Sequence, residues 1–584
     1  MKWNLNDLYK SEKDSNIQKD INIAKQKNEV FIKHWKENKQ YLKDPKILLQ
    51  SLKEYEYLKR HYGSYTKPRY YFMLKNFLNQ TDINVKAQIN KLSDISLKIV
   101  NDRQFFLLNL SKVSIKQQRI FLSSPILKEY KHFLEQLFLS SKYILSDKEE
   151  KIFNLTSKTS YSNWVDMVSE LLDKQKSTIL NEEGGKKEIS YNDFSKYLSS
   201  RNKKVRDYAS KKFNKINERY LEVAEFEINS ILEAKKISDD YRKIPRPDLP
   251  RHIDDDIDSQ IVDILIDVVT KNFNISKEYY KKKAKLLGVK KLAYHERNIP
   301  LKSVDMEIGY KEGMKIVKDV FSNIDKQFGD IVEQLDKDRR YDVYPKEGKS
   351  GGAFCISITK LLPTYILLNY KNKLEDVLTL SHESGHAIHT QLAKKQNLLN
   401  SGYPTSLAEV ASTFFEDFVL EDILKSSKED IKQGIIDKKL NTDISSIFRQ
   451  IAFYNFEKDL HNDFRSKGYL SKEYISELFC KHMKAYLGDT VLEDDGMKYG
   501  WIYVSHFRSP FYVYSYASGL LISKALQELV REDKKNIKYV KKFMESGSST
   551  SPYNLFKDMG IDISKKDIWE KGLSQIKNTI RLFS

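Results

Sequence analysis

Residues 374–389 of the chain read LEDVLTLSHESGHAIH, a stretch that predicts a helix carrying the motif H-E-x-x-H. Apolar residues recur at helical spacing through its first half. His382 and His386 are four residues apart, so on a helix their imidazoles lie on one face and can bind the same Zn²⁺ ion. Glu383 then lies beside the metal rather than on it, in the position of a general base.

A catalytic zinc ion usually has three protein ligands, and a candidate for the third follows in the next helical stretch. Residues 406–417 read SLAEVASTFFED, in which Glu409 sits among small and apolar residues. A carboxylate packed on such a face needs a cation, and zinc held by two histidines supplies one. Glu416, two turns further on, and its neighbour Asp417 are expected to lie behind the ligands. For Glu416, a plain solvent-facing position is the open alternative.

His389 competes for the place of third ligand. The three-histidine class of zinc sites needs H-E-x-x-H-x-x-G-x-x-H, but the residue ten positions after His382 is Leu392. His389 comes only seven positions after His382. We therefore expect it to be a neighbour of the site or an ordinary helix-face histidine.

The bulk composition bounds the class of protein. With 40% hydrophobic and 12% aromatic residues, a chain of 584 residues can pack a large interior and is not disordered. Its two cysteines, Cys355 and Cys480, cannot form a disulfide framework, so nothing points to secretion. The start is polar, and no run approaches the roughly 18 apolar residues of a membrane span. We expect a cytoplasmic protein without a membrane partner.

The formal net charge of +19 could indicate a nucleic-acid partner. Acidic residues interleave with the basic ones almost everywhere, however, which is typical of solvated helix faces. No helix-turn-helix, zinc-finger or RNA-binding signature is present. We therefore expect no nucleic-acid partner. A basic helical nucleic-acid or scaffold protein that carries an inert zincin-like site is the rival interpretation from a different class.

Helical periodicity dominates the chain, with two interruptions. Residues 177–190 indicate a short β-hairpin around a Gly-Gly turn, and residues 340–370 are the most strand-like part. The sequence thus predicts a mainly α fold with a small β-sheet next to the motif helix. We place a domain boundary near residue 195. Residues 1–195 would form an N-terminal helical lobe ending in the hairpin, and residues 196–584 a catalytic domain.

Taken together, these segments resemble one family. The HESGH motif at residues 382–386, followed by AEVASTF at residues 408–414, is similar to the oligoendopeptidase F branch of the M3, or thimet-oligopeptidase-like, metallopeptidases. Three further segments agree: WNLNDLY at residues 3–9, KSGGAFC at residues 349–355, and HFRSPFYVYSYA at residues 506–517. The resemblance covers essentially the whole chain.

The resemblance implies a two-lobed, mainly α zincin-like fold that encloses a deep channel. It also implies one Zn²⁺ per chain, with ligands that match His382, His386 and Glu409, and with Glu383 as the base. The implied activity is that of a metalloendopeptidase that hydrolyses internal bonds of short, unfolded oligopeptides. We expect a monomer or a small homo-oligomer. An aminopeptidase or carboxypeptidase is the nearer alternative, although no motif for recognising a peptide terminus is present.

His506 and the tyrosines that follow it are candidates for stabilising an oxyanion. Donors placed against the developing oxyanion lower the barrier of peptide hydrolysis. Tyr512 and Tyr516 are four residues apart and would share a helical face, whereas Tyr514 would point away. The resemblance implies a histidine and substrate-facing tyrosines in this segment. Ordinary core packing is the alternative for any one tyrosine.

Gly351, Gly352 and Ala353 are the candidate substrate-binding residues. Glycines let a backbone approach a ligand closely, and the strand after them could pair with an extended peptide. A tight turn without substrate contact is the open alternative.

Overall fold

The computed structural model describes residues 1–63, 67–301 and 306–583. Its elements are mainly helical, which confirms the predicted fold class. The helices are α1 (Asn16–Glu37), α2 (Pro45–Tyr62), α3 (Lys67–Leu78), α4 (Ile83–Arg103), α5 (Phe105–Ser111), α6 (Ile115–Ser123), α7 (Lys131–Ser141), α8 (Asp147–Ser157), α9 (Asn163–Asp173), α10 (Phe194–Leu198), α11 (Lys203–Arg219), α12 (Leu221–Arg242), α13 (Leu249–Asp254), α14 (Ser259–Lys271), α15 (Asn274–Leu286), α16 (Tyr310–Ile324), α17 (Lys326–Lys337), α18 (Leu374–Ala393), α19 (Thr405–Ser426), α20 (Glu429–Ile444), α21 (Gln450–Lys467), α22 (Lys472–Leu487), α23 (Asp495–Lys498), α24 (Gly500–Tyr503), α25 (Tyr514–Glu532), α26 (Ile537–Ser546), α27 (Pro552–Lys557) and α28 (Lys566–Leu582). The strands are β1 (Lys176–Leu180), β2 (Lys186–Ser190), β3 (Tyr341–Asp342), β4 (Phe354–Ile356) and β5 (Tyr365–Leu367).

The chain forms two compact units, each assembled from three segments. The first unit contains Met1–Lys142, Asp305–Ser426 and Leu526–Gly560. The second unit contains Tyr143–Val304, Ser427–Ala525 and Ile561–Ser584. Because the segments of the two units alternate along the chain, the units do not coincide with the division at residue 195. That division stays a proposal about the modules of the sequence.

The β-hairpin of the second unit forms where the sequence predicts it. Strands β1 and β2 pair antiparallel, with Leu180 opposite Lys186 at the turn. Gly184 takes a φ of 82° in this turn, a conformation that favours glycine. Ile179 and Ile189 are the buried residues of the two strands and attach the hairpin to the core of the unit.

A three-stranded sheet lies in the first unit, in the order β3-β5-β4. The central strand β5 pairs parallel with β3 and antiparallel with β4, and all three of its residues are buried. Strands β3, β4 and β5 occupy only short parts of residues 340–370, which the sequence predicts to be strand-like. Trp3, near the start of the chain, contacts the central strand: its indole N–H donates to the carbonyl of Ile366 at 2.8 Å. The N-terminal segment is thereby fixed to the middle of the sheet.

Helix α18, which carries H-E-x-x-H, begins at Leu374 as the sequence predicts. Asp376, in the first turn, stabilises the start of the helix. Its carboxylate accepts hydrogen bonds from the backbone N–H groups of Lys371 at 2.7 Å and Lys373 at 2.9 Å. Most of the helix is buried, including the turn between the two histidines. It packs against α16, α17, α19 and α26, and against strands β4 and β5. The sheet therefore adjoins the motif helix, as predicted.

Gly385, inside the motif, allows α18 and α19 to come very close together. A Cβ atom at this position would lie 2.9 Å from the Cα atom of Ser412 and 3.1 Å from the ring of Phe415. Any larger side chain would push the two helices apart. The glycine thus brings the two helices that carry the candidate ligands into contact.

The N-terminal helices of the first unit pack around their own aromatic core, with Trp35, Tyr41, Phe106 and Phe121 at its centre. Trp35 and Tyr41 meet edge to face at 5.6 Å, and Tyr41 stacks on Phe106 at 4.8 Å. Within the described ranges, no helix is both long and apolar enough to cross a bilayer.

Candidate metal centre

Helices α18 and α19 bring the three predicted ligands together. His382 Nε2 lies 3.4 Å from one carboxylate oxygen of Glu409, and His386 Nε2 lies 4.0 Å from the other. The two imidazole rings are 4.9 Å apart and nearly perpendicular. One ligand atom from each of the three residues lies within 4.8 Å of the other two. The side chains of His382, His386 and Glu409 are 25%, 18% and 34% exposed, respectively, so solvent reaches the cluster.

Glu416 holds the first ligand from behind. His382 Nδ1 donates a hydrogen bond to the Glu416 carboxylate at 3.1 Å. This bond keeps a proton on Nδ1, so Nε2 is the nitrogen that faces Glu409 and would bind a metal ion once it is deprotonated. The contact corresponds to the predicted one rather than to the solvent-facing alternative. Asp417 is buried on the same helix, and its place behind the ligands stays a prediction.

Glu383 is buried beside the cluster and is only 7% exposed. The backbone N–H of Cys355, on β4, lies near the Glu383 carboxylate and opposes part of the rise in its pKa. The second carboxylate oxygen is buried and has no hydrogen-bond partner in the part of the chain that the structure describes. Burial raises the pKa of Glu383 to about 7, and the charge of His382 only partly opposes this rise. A carboxylate with such a pKa can take up a proton and return it near neutral pH.

The two histidines have opposite protonation behaviour. Burial favours neutral imidazole, but hydrogen bonds to Glu409 and Glu416 outweigh it and raise the pKa of His382 to about 10. Burial and the positive charge of His382 lower the pKa of His386 to about 4. For Glu409, burial is outweighed by the His382 hydrogen bond and the charges of both histidines, which lower its pKa to about 2. The carboxylates therefore hold one positive charge at His382.

The donor set and the local charge fit a divalent metal ion. Three carboxylates, those of Glu383, Glu409 and Glu416, lie at the cluster, and no lysine or arginine of the described chain pairs with any of them. Ligand atoms around a tetrahedral zinc ion lie roughly 3.3 Å apart, given bonds of about 2.0–2.1 Å. The separations of 3.4 and 4.0 Å are close to this value. Two imidazoles and one carboxylate are ligands that zinc prefers.

Two supporting contacts were not predicted. The Ser412 hydroxyl lies 3.2 Å from the Glu409 carboxylate and can donate to it. Because Ser412 follows Glu409 by three residues on a helix, the sequence contained this signal. The proximity of the Cys355 N–H to Glu383 could not be predicted from the sequence, because strand β4 and helix α18 are brought together only by tertiary folding.

His389 lies outside the group of three ligand atoms. Its imidazole stacks on the ring of Tyr403, with centroids 3.7 Å apart and an interplanar angle of 8°. Phe543 packs against it at 5.1 Å. Complete burial lowers the pKa of His389 to about 3, so the ring is neutral. It is a buried neighbour of the site, in line with its spacing in the sequence.

The glycine-rich segment forms a tight turn before β4. Gly352 has a φ of 72°, and both Gly351 and Gly352 are exposed. The amide of Asn369 donates to the carbonyls of Ser350 at 3.0 Å and Gly352 at 2.7 Å, which ties the turn to the end of β5. Ala353 then leads into β4, the edge strand of the sheet. Substrate binding by this segment stays a prediction.

In the second unit, the predicted oxyanion residues cluster with one another. His506 lies on a 3-10 turn, Ser505–Arg508, and its Nδ1 shares a hydrogen bond with the Tyr512 hydroxyl. The ring of Tyr516 lies 5.8 Å from both His506 and Tyr512. Tyr514 is buried and donates to Asp255 at 2.7 Å, so its hydroxyl is not part of this group.

The predicted helical relation between the two tyrosines was wrong. Helix α25 begins at Tyr514, so Tyr512 lies before it. The reason is the turn at Pro510 and Phe511, because Pro510 cannot sit inside a helix and Phe511 has a φ of 64°. The rings nevertheless meet, since the turn folds Tyr512 back toward His506.

Buried polar contacts hold this turn in place. The Arg508 guanidinium donates to Glu227 at 2.9 and 2.5 Å and to three backbone carbonyls of residues 501–504. The N–H of Phe511, a residue with strained backbone, donates to Glu457 at 3.1 Å. Burial raises the pKa of Glu457 well above its usual range, which favours its protonated form. None of these partners had been predicted.

Comparison with known proteins agrees with the site. The model of peptidase family M3 matches residues 196–575, and the model named oligopeptidase F matches residues 110–173. With the metal-binding cluster, this match defines the chain as a metallopeptidase. More particularly, the chain belongs to peptidase family M3 and to its oligoendopeptidase F branch.

Relatives match along most of their length. An oligoendopeptidase F homolog of Borreliella burgdorferi is 27% identical over 599 residues, covering 100% of this chain and 96% of the relative. Oligopeptidase PepF of Bacillus subtilis is 27% identical over 462 residues, covering 77% of this chain and 68% of the relative.

Solved structures share the fold. A chain from Chlamydophila abortus superposes with a TM-score of 0.86 at 23% identity, covering 100% of this chain and 97% of that one. Oligoendopeptidase-F from Enterococcus faecium superposes with a TM-score of 0.70 at 19% identity, covering 97% and 98%. At these identities the likeness concerns the fold alone.

Proposed function

We propose that the chain is a zinc-dependent endopeptidase that hydrolyses internal bonds of short, unfolded oligopeptides. The observation that carries this proposal is the meeting of His382, His386 and Glu409 on two touching helices, with the buried Glu383 beside them. The endopeptidase part is supported by full-length similarity to a relative named oligoendopeptidase F homolog.

Three residues would hold the metal. His382 and His386 would bind through Nε2 and Glu409 through its carboxylate, which leaves a further position open as catalytic zinc sites require. A zinc ion bound there supplies Lewis acidity, which polarises a peptide carbonyl and makes a water molecule more acidic. Glu416 keeps His382 in the tautomer that binding through Nε2 needs.

Glu383 would move the proton. Its carboxylate takes a proton from the attacking water and later delivers it to the leaving amine. Burial supports this role by keeping the pKa near neutrality, so that uptake and return of the proton are both accessible. The Cys355 N–H on the edge strand favours the charged form of this carboxylate.

We assign the oxyanion role to His506 with Tyr512 and Tyr516. The hydrogen bond between His506 and Tyr512 orders both donors, and Tyr516 packs against both rings. Preorganised donors stabilise the oxyanion without reorganising during the reaction. The residues Gly351, Gly352 and Ala353, before the edge strand β4, are assigned to holding an extended peptide by backbone pairing.

The test is cleavage of an internally quenched nonapeptide whose two ends are chemically blocked. A blocked peptide reports endopeptidase activity, because exopeptidases need a free terminus. The wild-type chain with zinc is expected to cleave it, and chelation of the metal is expected to stop cleavage. Cleavage only of peptides with a free end would overturn the endopeptidase assignment.

The variant Glu383→Gln separates the base from the metal ligands. We expect its rate to fall by about a thousandfold or more, with zinc content unchanged, because only the proton carrier is lost. Glu375→Gln is the matched control, since it removes one negative charge from the same helix two turns earlier. Near-normal cleavage by zinc-loaded Glu383→Gln would contradict the assignment.

A further inference from the structure

A cavity of about 350 Å³ lies within the second unit and contains none of the residues assigned to catalysis. Three stretches form its walls, residues 191–214, 294–298 and 496–503. Its volume is in the range of cavities that hold small organic ligands.

The walls of this cavity are rich in aromatic rings. Tyr191 stacks on Phe213 with centroids 5.1 Å apart and an interplanar angle of 26°. Tyr503 meets Phe213 edge to face at 5.1 Å, and Tyr294 contributes a fourth ring. Such walls favour a flat, apolar group.

Among the described residues that line the cavity, Arg297 is the one permanently charged side chain, and none is an aspartate or a glutamate. The guanidinium lies 3.7 Å above the ring of Tyr294 and donates to the carbonyl of the same residue at 2.6 Å. Its Nε is buried without a hydrogen-bond partner. No carboxylate pairs with Arg297 within the described ranges. His295, also in the wall, is engaged by Asp207 at 2.9 Å.

The buried arginines of the second unit that have acidic partners differ from Arg297, which is partly buried. Arg206 pairs with Glu296 at 2.7 Å, and Arg508 pairs with Glu227 at 2.5 Å. A guanidinium removed from water is costly when no anion accompanies it. Stacking on Tyr294 offsets part of that cost. Arg297 is thus a partly buried cation that lines a ligand-sized cavity and has no acidic partner among the described residues.

We propose that this cavity binds a small aromatic carboxylate, such as an N-acylated aromatic amino acid. The carboxylate pairs with Arg297, and the ring lies against Phe213 and Tyr503. The side-chain amides of Asn214 and Asn298, which also line the cavity, can bind the acyl amide group. This site goes beyond the proposed peptidase function and does not depend on it.

The test is isothermal titration of the full-length protein with N-acetyl-L-phenylalanine. Two further probes each remove one recognised group: N-acetyl-L-phenylalaninamide lacks the carboxylate charge, and N-acetyl-L-alanine lacks the ring. We expect each to bind at least about tenfold more weakly. Equal binding of the phenylalaninamide, or no binding of N-acetyl-L-phenylalanine, would overturn the proposal.

Variants locate the binding. Arg297→Gln is expected to weaken binding of N-acetyl-L-phenylalanine at least about tenfold. The matched control Arg219→Gln removes an equal charge from an exposed position at the end of α11 and should bind as the wild type does. Ser199→Trp fills the cavity from its wall without changing Arg297, so it decides the question even if Arg297→Gln fails to fold. Undiminished binding by Ser199→Trp places the ligand elsewhere and contradicts the proposal.

Discussion

Among the described residues, two groups of histidine and carboxylate side chains could hold a metal ion, one in each unit, and they differ in the cations around them. In the second unit, the group of Asp207, His295 and Glu296 has its own cations. Arg206 lies 2.7 Å from Glu296, and Lys203 lies 3.1 Å from Glu296 and 3.0 Å from Asp207. The charges of these carboxylates are already balanced by the protein.

The group in the first unit lacks such partners. Around His382, His386 and Glu409, the described residues supply further carboxylates, Glu383 and Glu416, and no paired lysine or arginine. Proximity of ligand atoms is therefore a weak criterion for a metal site, whereas the absence of a paired lysine or arginine among the described residues separates this group from an ion-pair network. The following predictions test this difference.

The largest effect is expected from removing one histidine of each group. His386→Ala should lose zinc and reduce cleavage of the blocked peptide by about a thousandfold or more, because a ligand is gone. His295→Ala should keep both, since its group holds no metal. Metal analysis and cleavage rates on the same preparations check both variants. Stoichiometric zinc in active His386→Ala, or loss of zinc in His295→Ala, would reverse the comparison.

A smaller effect is expected from Glu416→Leu. Without the carboxylate, His382 loses the partner that orients its ring, and zinc affinity should fall by roughly 10- to 100-fold. The measurement is zinc affinity by competition with a chelator of known strength. Glu421→Leu, on the same helix, is the control, because the exposed pair of Glu421 and Arg531 has no part in the site. Equal zinc affinities for the two variants would contradict the proposed role of Glu416 in orienting His382.

A third prediction concerns the turn that carries Tyr512. Glu457→Leu leaves the N–H of Phe511 without its acceptor, so the strained turn can relax and displace Tyr512 from His506. We expect kcat to fall by about tenfold with zinc content unchanged. Glu457→Gln keeps a side-chain oxygen that can accept from the Phe511 N–H, and should retain most of the activity. If the Leu and Gln variants behave alike, the hydrogen bond has no such role.

The smallest effect concerns the pH dependence of stability in the second unit. Burial disfavours the charged form of Glu296, but hydrogen bonds from Ala293 N–H, Arg206 and Lys203 outweigh it and lower its pKa. A lowered pKa contributes stability above the unfolded value of about 4.3, and this contribution is lost as the pH falls through the folded value. Glu296→Gln should therefore lower the melting temperature by a few degrees at pH 7 and by less at pH 4. A difference that stays constant with pH would contradict this origin.

Much of the metal centre could be predicted from sequence, because its information is local. The spacing of His382 and His386 places both on one face of a helix, and the spacing of Glu409 and Glu416 does the same on the next helix. That the two helices touch could be anticipated from Gly385 and the small residues before Glu416, yet only folding shows the contact.

The remaining contacts depend on tertiary folding. The Cys355 N–H reaches Glu383 because of the position of β4 at the sheet edge, and Glu457 reaches Phe511 across 54 residues. The spacing of Tyr512 and Tyr516 predicted a shared helix face, and this prediction was wrong because Phe511 has a positive φ that a phenylalanine rarely adopts. Arg297 belongs to no recognised sequence motif. We single it out only because it lines a cavity in which no described residue is an aspartate or a glutamate.

The most direct test of the central claim is anomalous diffraction at the zinc absorption edge from crystals of the full-length protein grown with zinc. The account predicts one strong anomalous peak per chain, within bonding distance of His382 Nε2, His386 Nε2 and the Glu409 carboxylate, with no peak at Asp207, His295 and Glu296. A peak at the second group, or none at the first, would contradict it.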